Sequence, residues 1–321
     1  MVMRWMLKYR CDVVPSMSNL KAPFPYFGGK STISHEVWNR FGDVDMYVEP
    51  FFGSGAVLLN RPMPFRGFEM ANDMNGMIVN FWRSVKYAPE DVADHAEWYV
   101  SEIDLVARNQ WVIDRRQNIT NQMRLDPLFY DAKVAGWWVW CMSNWIGSGC
   151  CEESRKGKGI NKLPNLGRTM GVLKKSIRER PNGLHDWIYN LSQRFRNVQV
   201  ICGDWERSVT EGALSSSCSF IGVFLDPPYT KKAGRMAKLY VHDDLVVGNQ
   251  VFDWVVENGN NKKMRIAVCG FEGEYEFPQS WECVSWKSNG GYSKPESTKN
   301  NNKEKERIWF SPHCLKPNVL L

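Results

Sequence analysis

Two hydrophobic rhythms run through the chain. Short runs rich in β-branched and aromatic residues predict strands at 45–49, 65–69, 198–202, 219–225, 265–270, 281–286 and 307–311. Between some of them the spacing changes. Over 73–86, Met77, Ile78, Phe81, Trp82 and Val85 fall on one face of a helix, and Leu245, Val246, Val251, Trp254 and Val255 do the same over 243–257. Strands alternating with helices predict an α/β fold with a mostly parallel sheet covered on both faces. The rhythm breaks across 88–196, where Trp98, Trp111, Trp137, Trp138, Trp140, Trp145 and Trp187 cluster. That stretch reads as a mainly helical second domain inserted into a body made of 1–87 and 197–321. Its tryptophans read either as a core or as a platform for stacking bases. Residues 287–305, dominated by Asn, Ser, Gly and Lys, predict a mobile loop, and residues 1–16, ahead of a second start candidate at Met17, read as an appendage.

Composition narrows the class. With 43% hydrophobic and 24% charged residues the 321-residue chain is ordinary for a soluble globular protein of about two domains. Its longest apolar run, Val134 to Met142, is nine residues, far short of the roughly 18 that span a bilayer. The N-terminus has no apolar signal region, so membrane and secreted classes are excluded as expectations. Nine scattered cysteines without a C-x-x-C pair, and five histidines without ligand spacing, predict a reducing cytoplasm and no metal. Cys202 and Cys269 lie in apolar runs and read as buried thiols.

Charge is uneven. Between Ser154 and Pro181 stand Arg155, Lys156, Lys158, Lys162, Arg168, Lys174, Lys175, Arg178 and Arg180 against Glu179 alone. That segment carries +8 of a net +6, leaving −2 for the rest. A basic segment on a near-neutral body fits a polyanion partner, nucleic acid first, or else a solvated loop.

Three runs carry chemistry. In YVEPFFGSGAVLL (47–59) a strand ends in an acid, and Gly53 and Gly55 open a tight turn into a helix, at whose start exposed amides can hold an anionic group. Asp73 follows Gly53 by twenty residues, where a carboxylate can accept ribose hydroxyls. Gly29-Lys30-Ser31 ends like a phosphate-binding loop, but position 24 is Phe24 where that loop needs Gly. Leu225-Asp226-Pro227-Pro228-Tyr229 ends an apolar strand. There the acid and outward carbonyls supply acceptors for an exocyclic amine, and the tyrosine a face for its ring.

Taken in order, FPYFGGKS (24–31), YVEPFFGSGA (47–56), NDMN (72–75), GDW (203–205), DPPY (226–229), RIAVCGF (265–271) and ERIWFSP (306–312) resemble the Dam-like, or D12 class, family of DNA adenine-N6 methyltransferases, which bacteria and bacteriophages carry. The resemblance covers the α/β part, about two-thirds of the chain. It implies a seven-stranded Rossmann-like sheet, S-adenosylmethionine as methyl donor, and no metal. It implies that Tyr26 and Lys30 lie against the donor, that Glu49, Pro50, Phe51, Gly53 and Gly55 hold its methionine part, that Asp73 binds its ribose, and that Asp204 meets its adenine. Lys30 read by itself is also a helix-capping lysine, and Asp204 a turn residue. Asp226, Pro227, Pro228 and Tyr229 would hold a target adenine flipped out of duplex DNA, the inserted segment being the target-recognition domain. Relatives that read GATC carry an aromatic-Asn-Gly stretch followed by Arg; here Asn144-Trp145-Ile146-Gly147-Ser148-Gly149 stands instead, with Arg155 further on, so the recognition sequence is not transferred. Rival readings are methyl transfer to cytosine N4, an RNA base or a glutamine side chain, and a catalytically silent DNA-binding protein. The expected setting is a monomer in the bacterial cytoplasm, with or without a cognate restriction endonuclease. Neutralising Lys174, Lys175, Arg178 and Arg180 together is expected to weaken DNA binding and flatten its dependence on salt; an unchanged slope of log K against log salt returns the segment to a solvated loop.

Overall fold

The computed structural model describes residues 20–26, 29–146, 149–160, 183–214, 217–228, 246–286 and 305–317. The N-terminal appendage, Met17 and nearly all of the 287–305 loop lie outside them. The strands are β1 (Met46–Glu49), β2 (Phe68–Asp73), β3 (Val198–Cys202), β4 (Ile221–Leu225), β5 (Met264–Phe271), β6 (Glu282–Ser285) and β7 (Glu306–Phe310). They form one seven-stranded sheet in the order β3-β2-β1-β4-β5-β7-β6. The first five are parallel, while β7 runs antiparallel to both β5 and β6. The chain leaves β1 toward β2 and β3, then returns to β4 on the other side of β1. The carboxyl ends of β1 and β4 therefore flank the switch point at which open α/β sheets bind ligands.

Both faces of the central strands are buried, with a period of two. Tyr47, Phe224, Ala267 and Cys269 enter one core; Met46, Val48, Val223, Leu225, Ile266 and Val268 enter the other. The predicted strand 65–69 lies instead at Phe68–Asp73. Gly67 has φ +102°, and a Cβ there would come within 1.9 Å of the Asp45 carbonyl oxygen, so the chain is turning at that point. Phe65, which looks strand-like in sequence, packs under the Arg61 and Arg194 guanidiniums at 4.0 and 4.9 Å. Cys269 is buried as expected, whereas Cys202, at the end of edge strand β3, is only partly covered.

Helix α1 (Ser34–Phe41) precedes β1, and α2 (Ala56–Leu59) and α3 (Gly76–Tyr87) belong to the crossovers after β1 and β2. The predicted helix at 73–86 starts later because Asn75 caps it, its Oδ1 accepting the Met77 amide at 3.0 Å. Helices α4 (Pro89–Ala96), α5 (Glu102–Leu125), α6 (Ala132–Asn144) and α7 (Gly183–Phe195) follow, and α8 (Val247–Asn258) covers the other face. The tryptophan-rich helices share the core of the sheet. Trp138 meets Phe24 at 4.7 Å and Phe81 at 5.8 Å, and Trp82 of α3 stacks on Phe195 of α7 at 4.1 Å. Trp138, Trp140 and Trp145 are buried; Trp111 and Trp137 are partly covered, and Trp98 is half exposed. Among the described residues no helix is long and apolar enough to cross a membrane.

Two ionic contacts fasten α7 where the chain returns to the sheet. Arg194 makes a bidentate pair with Glu69 of β2, at 2.5 and 2.7 Å, inside the protein. The opposite end of α7 places His185 among three carboxylates of α4 and its C-cap: Glu90 at 3.0 Å, Glu97 at 3.2 Å and Asp94 at 3.5 Å. Partial burial disfavours the charged ring, but the Glu90 hydrogen bond and the charges of Glu97, Asp94 and Glu90 outweigh it, so the His185 pKa is raised. A raised histidine pKa stabilises the fold fully below its unfolded value, and the contribution is lost as pH rises through the folded value. The stability difference between the wild type and His185→Gln, measured by denaturant unfolding from pH 5 to 9, is expected to be largest at the acid end. A difference independent of pH would show that the ring acts by packing alone.

Candidate active site

A cavity of about 520 Å³ opens at the carboxyl ends of β1 to β4. Tyr26, Lys30, Glu49, Pro50, Phe51, Gly53, Asp73, Asp204, Asp226 and Pro228 all line it. Residues separated by up to two hundred positions thus meet because parallel strands end together.

The turn after β1 is built around Asp73. Gly53 (φ +49°) and Gly55 (φ +69°) lie in the left-handed region; a Cβ on the first would come within 2.7 Å of the Tyr26 ring, and on the second within 2.6 Å of the Phe52 ring. The Asp73 carboxylate accepts the Gly53 amide through Oδ2 and the Asn75 amide through Oδ1, both at 2.8 Å. Burial pushes its pKa up to about 6, against the opposing effect of those two hydrogen bonds. The Gly55 amide bonds the Phe52 carbonyl at 2.9 Å. Both glycine N–H groups are thus committed within the protein; of the amides at the start of α2, that of Leu58 hydrogen-bonds the Glu49 carboxyl.

Glu49 and Asp226, at the ends of adjacent strands, sit in contrasting surroundings. Glu49 is buried and accepts the Tyr47 hydroxyl at 2.8 Å. Burial, offset in part by that hydrogen bond and reinforced by the charge of Asp226, holds its pKa well above the usual carboxylate range. Asp226 is ion-paired through Oδ2 with the buried Lys30 ammonium at 2.8 Å. Lys30 also lies 5.4 Å from the Trp286 ring. Its partner is thus the acid of the D-P-P-Y run, within the cavity wall. Pro227 and Pro228 are buried; Tyr229 lies outside the described residues.

Asp204 is exposed at the cavity rim and caps a short 3₁₀ turn, its Oδ1 accepting the Glu206 amide at 2.9 Å. The turn role read from sequence is therefore present. Next to it Trp205 faces Phe51, ring centroids 6.0 Å apart and planes 24° from parallel. Trp205, Asn72 and Gln250 also line the cavity and were not singled out by sequence reasoning. Trp205 had a signal in the G-D-W run and Asn72 in the N-D-M-N run; Gln250 had none. Of the basic segment, Arg155, Lys156 and Lys158 are described. Lys156 pairs with Asp114 at 3.3 Å, and Lys158 bonds the Ser154 carbonyl at 3.0 Å. Lys162, Arg168, Lys174, Lys175, Arg178 and Arg180 lie outside the described residues. Asn144 is buried, with its amide on the Trp140 carbonyl at 2.9 Å. Among the described residues no three side chains are grouped to hold a metal ion.

A doubly wound sheet of this strand order, with acids at the ends of β1, β2 and β4 around one cavity, has the methyltransferase fold. Residues 26–246 match the D12 class N6 adenine-specific DNA methyltransferases, and the chain belongs to that family. It is similar to proteins named DNA adenine methylase from two Vibrio cholerae serotype O1 strains, Classical Ogawa 395 and El Tor Inaba N16961. Identity to each is 24% over 214 residues, covering 66% of this chain and 66% of the relative. The match thus spans just under two thirds of the relatives' length.

Gly53→Ala is expected to lower stability by about 1–3 kcal/mol, because it strains the left-handed backbone and drives a methyl into Tyr26. Urea unfolding would register this as a lower midpoint at unchanged slope, and an unmoved midpoint would mean that the turn relaxes freely.

Proposed function

We propose that this chain is a DNA adenine-N6 methyltransferase, using S-adenosylmethionine to methylate an adenine flipped out of duplex DNA. The observation that carries the reading is the one cavity lined by Glu49 to Ser54, Asp73, Asp204, Asp226 and Pro228, with Gly55 and Pro227 outside its lining, in a chain of this family. Its residues fit the donor. Glu49, whose burial leaves its carboxyl short of a cation, suits an ammonium; Asp73 suits a ribose; the Phe51 and Trp205 rings suit a purine. Bound there, S-adenosylmethionine supplies a sulfonium-activated methyl group.

Asp226 and the Pro227 carbonyl accept the two hydrogens of the adenine amino group. Those bonds draw the nitrogen lone pair out of conjugation with the ring and aim it toward the methyl. Lys30 fixes the Asp226 carboxylate through Oδ2. Prolines at 227 and 228 leave no amide to compete for the acceptors. Catalysis by this arrangement is positional, and well-oriented groups can contribute about 7–11 kcal/mol. Tyr229 stacks on the flipped base in this reading, and residues 88–196 form the target-recognition domain, with the basic segment along the phosphates. Because N6 is held in the base stack, extrusion precedes transfer.

With purified protein, labelled donor and unmethylated duplex DNA, mass spectrometry of the digested nucleosides is expected to find N6-methyladenine. Asp226→Ala is expected to lose more than nine-tenths of the activity while keeping its fold by circular dichroism, at a lower melting temperature because the buried Lys30 loses this partner. N4-methylcytosine as product would overturn the substrate, and an active Asp226→Ala would overturn the site.

A further inference from the structure

Asn72, the penultimate residue of β2, has an unusual set of partners. It is 1% exposed, yet it belongs to the cavity wall. Its Nδ2 donates to the Pro50 carbonyl at 2.9 Å and to the Gly203 carbonyl at 3.1 Å. Two carbonyl partners fix which end of the amide is nitrogen. Pro50 leads into Phe51 and Gly203 into Asp204 and Trp205, so one NH2 group ties together the turns that carry the two facing rings. Asn72 Oδ1 is buried and has no hydrogen-bond partner in the protein. An unsatisfied acceptor in a cavity wall marks where a ligand's N–H or O–H belongs.

The turns do not depend on this side chain for their fold. The Phe52 amide bonds the Asn72 carbonyl at 2.9 Å and the Gly203 amide bonds the Asp73 carbonyl at 3.2 Å, and both are main-chain bonds that survive substitution. What the side chain adds is a tie between the two walls and one buried acceptor that the protein leaves without a partner.

We propose that Asn72 is a donor-positioning residue: its amide nitrogen sets the separation of the Phe51 and Trp205 walls, and its amide oxygen accepts a hydrogen bond from the adenosyl part of the donor. This rests on the methyltransferase reading above. The contact is made to the nucleoside half, away from the methyl group and from the target base. Asn72 therefore governs donor affinity and leaves the chemical step and DNA binding alone.

The test is calorimetric titration of S-adenosylhomocysteine, and separately of adenosine, into the wild type, Asn72→Leu and Asn72→Ser. Leucine keeps the branched shape without hydrogen bonds; serine, which is too short to bridge both carbonyls, serves if leucine does not fold. Both ligands are expected to bind at least tenfold more weakly to a variant that melts within a few degrees of the wild type. The donor KM should rise by a similar factor, with kcat at saturating donor within threefold and the DNA KM unchanged. Wild-type affinity for both ligands, or a lower kcat at unchanged affinity, overturns the proposal. Weakened S-adenosylhomocysteine with unchanged adenosine also overturns it, because the contact would then be to the methionine half. Failure of the wild type itself to bind S-adenosylhomocysteine would instead remove the methyltransferase reading on which the proposal stands.

Discussion

The Asp73 carboxylate is the constraint on which the site depends. One oxygen holds the Gly53 amide in the turn after β1 and the other holds the Asn75 amide at the start of α3. Hydrogen bonds to a charged acceptor contribute about 1.5–3 kcal/mol each, enough to hold a turn whose glycines lie in the left-handed region. Asn75 in turn caps α3 and receives Arg116 from α5 at 3.2 Å, while Arg116 also reaches the Cys151 carbonyl at 2.8 Å. A chain of polar contacts therefore runs from the cavity into the helical segment. The same carboxylate that suits a ribose hydroxyl is thus a structural fastener, and the two roles share its lone pairs.

Burial of both sheet faces explains why so few polar groups suffice. With apolar side chains alternating into two cores, the central strands have one stable register, since a slip of one residue would exchange the cores. A group of deeply buried charges is held in a network. Arg194 and Arg61 both reach Glu69, and each also donates to a main-chain carbonyl, Leu58 at 2.8 Å and Val44 at 2.6 Å. That network joins α7 to β2 and to the segment after α2, so the helical segment returns to the sheet at a fixed place.

The site divides its charge between two neighbouring acids. Glu49 is driven toward the neutral form by burial, whereas Asp226 is held in an ion pair with Lys30. Environments that separate two carboxylates in this way give them different tasks: one is ready to be matched by an incoming cation, the other stands as a fixed acceptor.

The sequence by itself determined six of the seven strands and the helices α3 and α8, because burial on two faces leaves continuous apolar runs and on one face a helical stripe. It also marked the acids that end β1, β2 and β4, because turns there need Gly and Pro, whose conformational demands are visible residue by residue. Tertiary structure alone decided the rest. Phe65 looked like a strand residue until Arg61 and Arg194 claimed its ring; no local signal says that Asp73 and the Phe52 carbonyl take the Gly53 and Gly55 amides. Nothing local to Lys30 specifies that its partner is Asp226, and nothing near Asn72 says that its amide joins Pro50 to Gly203. Such contacts link residues far apart in sequence, and only the parallel order of the strands brings their ends together.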